Sequence, residues 1–258
     1  MLVPNQVIFN KSNKLFGLTS SLEQKFCTEY AAMIYTGAGA IVDLGCFLGS
    51  LTIATIRGLS AKPEFVYAYD RWIVEEWFLQ FREWMNQNNI GMNKEHKIGD
   101  SFKDVFIEQL GSLAERVKIR GDILTEPCFE APIEFLIVDA MKSWELSNAI
   151  LEKFYSRLIP GVSYVFHQDF KYHLCPWIPM IQWDLREYFE IYENIPDAPE
   201  GTSHTVVFKY VKQIPEGMLL CYHSKYFSKA EIDQAYDYWE KNVPHALLRQ
   251  SKELLTPC

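Results

Sequence analysis

The stretch from Ile41 to Ser50 constrains the fold of this chain more than any other part of its sequence. An apolar run that contains Asp43 is followed at once by Gly45 and Gly49, and then by an amphipathic segment. A short apolar run of this kind predicts a buried parallel strand, and the glycines predict a tight turn that opens a helix. α/β sheets bind nucleotide-like ligands at such turns, because backbone N–H groups come close and no Cβ blocks the approach. The sequence therefore predicts an α/β fold with a ligand site here.

An acid and an aromatic residue in this turn indicate which ligand it binds. A carboxylate at Asp43 would repel a pyrophosphate and attract a cationic ligand that bears an amine. Dinucleotide-binding turns have the pattern G-x-G-x-x-G, whose second glycine lets a diphosphate approach the backbone. Phe47 occupies that second position here. The turn therefore disfavours an NAD-dependent oxidoreductase, and an ordinary strand-to-helix turn without a ligand is the other alternative.

The pattern D-x-G-x-x-x-G resembles the first motif of class I S-adenosylmethionine-dependent methyltransferases. In that family the loop wraps the amino-acid end of the cofactor, and the acid lies near its charged groups. The resemblance implies a cofactor-binding role for five residues of this turn: Asp43, Gly45, Phe47, Gly49 and Ser50.

Bulk properties narrow the class of protein. The chain has 258 residues, which suits one domain or one domain with an appendage. A net charge of −8 argues against a nucleic-acid partner, since nucleic-acid binders usually present a basic face. The sequence shows neither a signal peptide nor an apolar stretch long enough to span a membrane. Dispersed cysteines without a C-x-x-C pair predict reduced thiols in a cytoplasmic protein and no zinc site: Cys27, Cys46, Cys128, Cys175, Cys221 and Cys258.

Seven segments have the apolar pattern of strands, namely 40–44, 65–70, 116–120, 133–139, 162–167, 191–195 and 205–211. Helical spacing separates most of them, and it predicts helices at 20–35, 50–59, 72–88, 102–113, 146–158 and 177–189. The last two strands follow each other without a helix and should pair as an antiparallel hairpin. The pattern predicts a Rossmann-like, doubly wound α/β fold with a seven-stranded sheet and a C-terminal antiparallel hairpin.

Helical additions flank this sheet in the predicted organisation. Residues 1–39 form an N-terminal helical segment, residues 40–212 the methyltransferase-like core, and residues 213–258 a C-terminal helical extension with helices at 230–240 and 246–254. The extension could be a lid, a contact surface in a homo-oligomer, or simple packing, and the sequence does not choose among the three.

The order of acids from about residue 20 to residue 211 resembles that of a class I methyltransferase. Asp70 ends the second strand, where a carboxylate can accept both ribose hydroxyls of the cofactor, and Arg71 follows it. Asp122 and Ile123 end the third strand, where the family meets the adenine ring. Asp100 is a rival of the same chemical type for the adenine position.

The second half of the core is similar to the macrocin-type sugar O-methyltransferases. The likeness rests on 135–139, 157–161 and the strand that ends at 168–170. In those enzymes acids after the fourth and fifth strands bind a magnesium ion that orients two hydroxyls of the acceptor. The resemblance therefore implies an Mg²⁺ site at Asp139 and Asp169, with Gln168 in place of a third carboxylate. Asp139 would also border the cofactor and, with Asp169, take part in catalysis.

The general base is the weakest point of this resemblance. The family has a second acid or a histidine just after the fourth-strand acid, and Ala140–Ser143 offers neither. Lys142 could serve as a base only if its pKa were lowered substantially. His167 and His173 are the other candidates, although a strand-end His167 could instead point into the core and His173 could be an exposed loop residue.

Three segments are candidates for the walls of the site. Trp72 could cover the adenine or the ribose, and a core or surface position is the alternative. The loop from Tyr172 to Pro179 is expected to border the acceptor, with the segment from Asn13 to Thr19 opposite it. These placements follow from topology and not from a motif.

The sequence predicts a methyltransferase that uses S-adenosyl-L-methionine to modify a hydroxyl of a small molecule, such as a sugar-bearing metabolite. An N-methyltransferase is an alternative, because an amine acceptor needs no base when its lone pair is free. A catalytically inactive, methyltransferase-like binding protein is another, because the predicted metal and base set is incomplete.

Overall fold

The computed structural model describes residues 17–60, 64–87, 95–199, 201–215, 217–219, 221–223 and 226–255. Its centre is a seven-stranded sheet in the order β3-β2-β1-β4-β5-β7-β6. The strands are β1 (Ala40–Leu44), β2 (Val66–Tyr69), β3 (Val117–Arg120), β4 (Ile133–Val138), β5 (Tyr164–His167), β6 (Phe189–Asn194) and β7 (Val206–Tyr210).

The direction of the strands confirms the predicted topology. β1 to β5 pair in parallel, whereas β7 is antiparallel to both β5 and β6, so that the last two strands form the expected hairpin. In the register of the sheet, Asp43 lies opposite Ala68 of β2 and Ile137 of β4. The parallel strands therefore bring their carboxyl ends, and the acids that follow them, to one edge of the sheet.

Helices cover both faces of the sheet. Eight α-helices lie in the part of the chain that the structure describes: α1 (Ser21–Glu29), α2 (Ser50–Leu59), α3 (Glu76–Gln87), α4 (Lys103–Leu110), α5 (Trp144–Lys153), α6 (Trp177–Asp184), α7 (Lys229–Asn242) and α8 (Ala246–Leu255). Across these ranges no helix combines the length and the apolar character that membrane crossing requires.

The helix after β2 starts later than predicted. The sequence pattern places its start at Trp72, but α3 begins at Glu76. Trp72 has a positive φ of 60°, which a right-handed helix does not accommodate, and Ile73 forms a bridge to Ser101. The predicted last residue of this helix, Asn88, lies outside the described residues.

Two apolar clusters form the core, one on each face of the sheet. The first contains Phe26 of α1, Ile53 of α2 and Phe106 of α4. The second contains Ile150 of α5, Ile178 of α6 and Trp239 of α7, and its members are buried. The C-terminal helices therefore complete the core of the sheet on this face, where the Trp239 indole N–H donates to the backbone oxygen of Pro179 at 2.9 Å.

Candidate functional site

A cavity of about 480 Å³ opens at the carboxyl edge of the sheet. The loops that follow the five parallel strands each contribute a polar residue or a glycine to its lining: Gly45, Asp70, Asp122, Asp139 and Gln168. Doubly wound sheets bind their ligands at this edge, where the strand order reverses. The acids that the sequence spreads over about a hundred residues therefore meet around a single space.

The turn after β1 can only be made by glycine at position 45. Gly45 has a φ of +81°, and a Cβ there would lie 2.7 Å from the backbone oxygen of Asp139. Backbone N–H groups of Gly45 and Cys46 both donate to the carbonyl of Tyr69, at 2.9 and 3.1 Å. The Asp139 N–H in turn donates to the carbonyl of Leu44 at 2.8 Å. These contacts hold the loops after β1, β2 and β4 against one another.

Asp70 supports two residues with unfavourable backbone geometry. Its carboxylate accepts the backbone N–H of Phe47 at 2.9 Å and that of Trp72 at 3.1 Å. Phe47 and Trp72 have φ values of 48° and 60°, in the left-handed region that costs a bulky residue about 1–2 kcal/mol. Burial raises the pKa of Asp70, and the N–H donors of Trp72 and Phe47 offset part of that increase. Asp70 therefore shapes the loop as well as lining the cavity.

Asp43 is a buried acid with one close donor. Only 1% of its surface is exposed, and the hydroxyl of Thr52 donates to its Oδ2 at 2.5 Å. Burial raises the pKa of Asp43 to about 7, and the neighbouring charges of Asp139 and Asp70 add to that effect. A cation bound in the cavity would favour the charged form of Asp43 and would compensate for the buried charge.

The structure separates the two rival acids of the predicted adenine site. Asp122 and Ile123 line the cavity, and the guanidinium of Arg71 lies 3.8 Å from an oxygen of Asp122. Asp100 lies outside this lining and accepts the backbone N–H of Lys97 at 2.8 Å within an exposed turn. Placement thus favours Asp122 over Asp100.

Two tryptophans near the loop after β2 occupy different places: Trp72 is a core residue, and Trp77 lines the cavity. Trp72 is buried, and its indole N–H donates to the backbone oxygen of Arg120, so the core alternative holds. Trp77, for which no sequence pattern predicts a ligand role, lines the cavity from the first turn of α3. Its ring centroid lies 5.1 Å from that of Phe47, and its indole N–H donates to Glu75 at 2.9 Å. The helix that follows an acid-ending strand necessarily starts beside the site, which is the signal that could have found Trp77.

Lys142 lines the cavity and contacts two carboxylates. Its Nζ donates to Oδ1 of Asp139 at 2.6 Å and also to Oδ2 of Asp169. Burial lowers the pKa of Lys142, but the charge and hydrogen bond of Asp139 together with the nearby Cys175 and Tyr172 outweigh this effect, and the net pKa is raised. The lowered pKa that a general base at Lys142 requires is therefore not found, and Lys142 is an ammonium at neutral pH.

The magnesium site predicted at Asp139, Asp169 and Gln168 is not supported. The Lys142 ammonium lies where a cation would have to bind, since it already contacts both carboxylates. Gln168 donates its Nε2 to the carbonyl of Leu18 at 3.1 Å, while its buried Oε1 has no hydrogen-bond partner in the described part of the chain. Within the same residues no group of three or more His, Cys, Asp or Glu side chains is arranged to hold a metal ion. The residues present do not fit a divalent cation.

The two histidine candidates lie outside the cavity lining. His167 is 2% exposed, its ring packs edge-on against Phe170, and burial lowers its pKa to about 3, so it is neutral. His167 therefore points into the core, which is the alternative that the sequence leaves open. His173 packs its ring edge-on against that of Tyr172, and Tyr172 is the residue of this loop that faces the cavity.

The opposite wall agrees in part with the segment expected from the sequence. Leu18 and Thr19 line the cavity, and the Thr19 hydroxyl donates to the Ser50 hydroxyl at 2.8 Å. Residues 13–16 of the predicted wall lie outside the described residues. Gly49 precedes α2 with a φ of +84°, and a Cβ there would lie 2.7 Å from the ring of Phe106. Gly49 thus positions α2, whereas Ser50 itself lines the cavity.

No protein-family model matches the sequence, and no curated protein matches it either. Among solved structures, the fold is similar to that of the O-methyltransferase NovP, with a TM-score of 0.51 and 16% sequence identity over 76% of this chain and 82% of NovP. The SAH-bound methyltransferase PaMTH1 of Podospora anserina gives a TM-score of 0.42 and 13% identity over 81% of this chain and 85% of its own. The pyocyanin biosynthetic protein PhzM gives 0.41 and 19% identity over 72% of this chain.

The similarity to NovP establishes a shared fold. This chain spans about half of PhzM, 54% of its length, and most of NovP. The seven-stranded Rossmann-like sheet with an antiparallel C-terminal end is therefore an architecture that methyltransferases use.

Proposed function

We propose that this protein binds S-adenosyl-L-methionine and transfers its methyl group to a hydroxyl of a small molecule. The observation that carries the proposal is a set of three acids, the buried Asp43 and the partly buried Asp70 and Asp139, around a cavity that the Gly45 turn also lines. Such a set of acids disfavours phosphate-bearing cofactors and favours a ligand with a positive charge. The shared fold with NovP supports the same proposal.

The residues of the cavity match the three chemical parts of this cofactor. Asp43 and the Gly45 turn would hold the charged amino-acid end, because the buried carboxylate gains a counterion there. Asp70 would accept the ribose hydroxyls through the lone pairs that Phe47 and Trp72 leave available. Asp122 and Ile123, with Trp77 in the same cavity lining, would bind the adenine ring. The cofactor supplies a methyl group already activated by a sulfonium, so positioning accounts for much of the rate.

Lys142 favours oxygen over nitrogen as the methyl acceptor. Its ammonium has three N–H donors, of which two are directed to Asp139 and Asp169. A hydroxyl that accepts the third donor keeps a second lone pair for attack on the methyl group. A neutral amine would lose its single lone pair to the same hydrogen bond, and a protonated amine would be repelled by Lys142.

Asp139 is the base that we propose for the hydroxyl. It lines the cavity, and burial raises its pKa above that of an ordinary carboxylic acid even though Lys142 opposes the increase. The hydroxyl proton becomes strongly acidic as the new C–O bond forms, and it would pass to the Asp139 carboxylate. Lys142 would hold the same oxygen in line during the transfer, and the buried Oε1 of Gln168 would accept a second donor of the substrate.

The acceptor that we propose is a small molecule, such as the sugar-bearing metabolites of the macrocin-type enzymes. Leu18, Leu146 and Tyr172 offer apolar and aromatic surface in the same cavity as Lys142 and Gln168, a combination suited to a hydroxylated ring. A catalytically inactive binding protein is the second candidate, since neither predicted histidine reaches the cavity.

Calorimetry with S-adenosylhomocysteine and NAD tests the cofactor proposal. We expect micromolar affinity for S-adenosylhomocysteine and none for NAD. If the protein does not bind S-adenosylhomocysteine, the proposed function is wrong. Transfer of a labelled methyl group to a pool of hydroxylated metabolites then separates an enzyme from an inactive binder, and mass spectrometry of the product separates O- from N-methylation.

A further inference from the structure

One cluster at the cavity resembles a metal site in which a lysine ammonium stands in place of the metal ion. It consists of Asp139, Lys142 and Asp169. Two carboxylates from the loops after β4 and β5 converge on one ammonium, and 13–21% of their side-chain surface is exposed. Gln168, next to Asp169 in sequence, places a buried amide oxygen without a partner at the same cavity. Carboxylate and amide oxygens are the ligands that hard divalent cations prefer. Two carboxylates that face each other without a cation would repel.

A second lysine in the protein provides the contrast. Lys252 also lies between two carboxylates, at 2.9 Å from Asp233 and 3.8 Å from Asp237. Asp233 and Asp237 are one helical turn apart on α7, and 46% and 79% of their side-chain surface is exposed. Water can solvate Asp233 and Asp237 when Lys252 is removed. These two carboxylates therefore need no other cation.

We propose that the Lys142 ammonium takes the place of a divalent cation in this cavity, and that its removal creates a divalent-cation site made by Asp139, Asp169 and Gln168. Lys142 neutralises one of the two negative charges and orders both carboxylates, which are the two tasks that a bound cation would perform. The protein as it stands should therefore neither bind nor require Mg²⁺. This inference concerns the cation alone and does not depend on the proposed methyl transfer.

The experiment is a titration of Mn²⁺ into the full chain, followed by electron paramagnetic resonance. Mn²⁺ is the probe because it prefers the same oxygen ligands as Mg²⁺ and its free form gives a measurable signal. Four proteins are compared: the unaltered chain, Lys142→Met, the double variant Lys142→Met with Asp169→Asn, and Lys252→Met as the matched control. Methionine keeps much of the volume of lysine and removes the charge. Thermal unfolding of each variant checks that it is folded.

We expect Mn²⁺ affinity at least tenfold higher in Lys142→Met than in the unaltered chain, loss of that gain in the double variant, and no gain in Lys252→Met. Three results would overturn the proposal: a gain in Mn²⁺ affinity that persists in the double variant, an equal gain in Lys252→Met, or no gain in a folded Lys142→Met. Calorimetry with S-adenosylhomocysteine on the same samples reports the proposed function separately. A protein that does not bind S-adenosylhomocysteine can still show the expected Mn²⁺ affinities. A protein without the expected Mn²⁺ affinities can still bind S-adenosylhomocysteine.

Discussion

The backbone N–H of Phe47 donates to the carboxylate of Asp70 at 2.9 Å, and this bond joins the loop after β1 to the loop after β2. Phe47 stands where a dinucleotide-binding turn would have its second glycine, and it retains the positive φ of a glycine. Its ring is instead used for packing against Trp77, Phe78 and Phe102. Phe47 therefore prevents a diphosphate from approaching the turn, and its backbone N–H holds Asp70, the acid that we propose for the cofactor ribose.

Replacement of Asp70 by Ala should abolish most of the affinity for S-adenosylhomocysteine. The ribose would lose two charge-assisted hydrogen bonds, each worth roughly 1.5–3 kcal/mol, so we expect a loss of about a hundredfold or more by calorimetry. Asp100→Ala is the matched control, because Asp100 is an acid of the same region outside the cavity lining. Equal losses in the two variants, or no loss in Asp70→Ala, would contradict the assignment.

Affinity for S-adenosylhomocysteine should depend on pH through Asp43. The pKa of Asp43 is about 7, and only the charged form attracts the ammonium of the ligand. Binding should therefore be strongest above pH 7 and weaken by about tenfold for each unit below it, as linkage requires. Asp43→Asn should bind weakly and without this slope between pH 5 and pH 8. A slope that persists in Asp43→Asn would assign the titration to another group.

The same substitution should stabilise the protein while it removes cofactor affinity. The pKa of Asp43 is raised from 3.8 to about 7, so the folded state holds the proton more tightly than the unfolded state. The buried charge therefore costs stability fully above pH 7, and this cost disappears as the pH falls below about 4. Each pKa unit corresponds to about 1.4 kcal/mol, so Asp43→Asn should raise the free energy of unfolding by on the order of 2–4 kcal/mol at pH 8.

Urea unfolding at pH 8 and at pH 4 measures this difference. The advantage of Asp43→Asn should be present at pH 8 and nearly absent at pH 4, because Asp43 is then protonated in the folded state and the pH lies close to the ordinary carboxyl pKa of 3.8 that applies to the unfolded state. Asp100→Asn serves as the exposed control and should change little at either pH. A destabilised Asp43→Asn at pH 8 would mean that the carboxylate itself holds the turn together.

The sequence predicted the sheet because strand patterns are local. Apolar runs that end at Asp43, Asp70 and Asp139 gave the parallel strands, and the absence of a helix between the last two strands gave the hairpin. These signals depend only on residues within one element and on the rules of chain connection. The spacing of Trp72 predicts a helical position, yet its backbone has a positive φ and its N–H is held by the carboxylate of Asp70, two residues earlier.

The partners of Lys142 could not be predicted from sequence. Asp139 lies three residues away, but Asp169 comes from another strand, and the distance of its carboxylate from the ammonium follows from the register of β4 and β5. Burial lowers the pKa of Lys142, and Asp139 together with Cys175 and Tyr172 raises it by more. The sequence states the condition for a lysine base, and only the structure reveals which neighbours act against it.

Trp77 should contribute to cofactor affinity although no sequence motif contains it. It lines the same cavity as Asp122, and its indole N–H is held by Glu75, which also pairs with the Arg71 that faces Asp122, so the ring has a fixed position in the cavity. An aromatic contact of this kind is worth about 0.5–1.5 kcal/mol, so Trp77→Ala should weaken S-adenosylhomocysteine binding by up to about tenfold, and Trp77→Phe by less. Trp183→Ala is the control, because that ring lies in α6 under the guanidinium of Arg186 and outside the cavity lining. Calorimetry with adenosine should show the same ranking, and an unaffected Trp77→Ala would place the adenine elsewhere in the cavity.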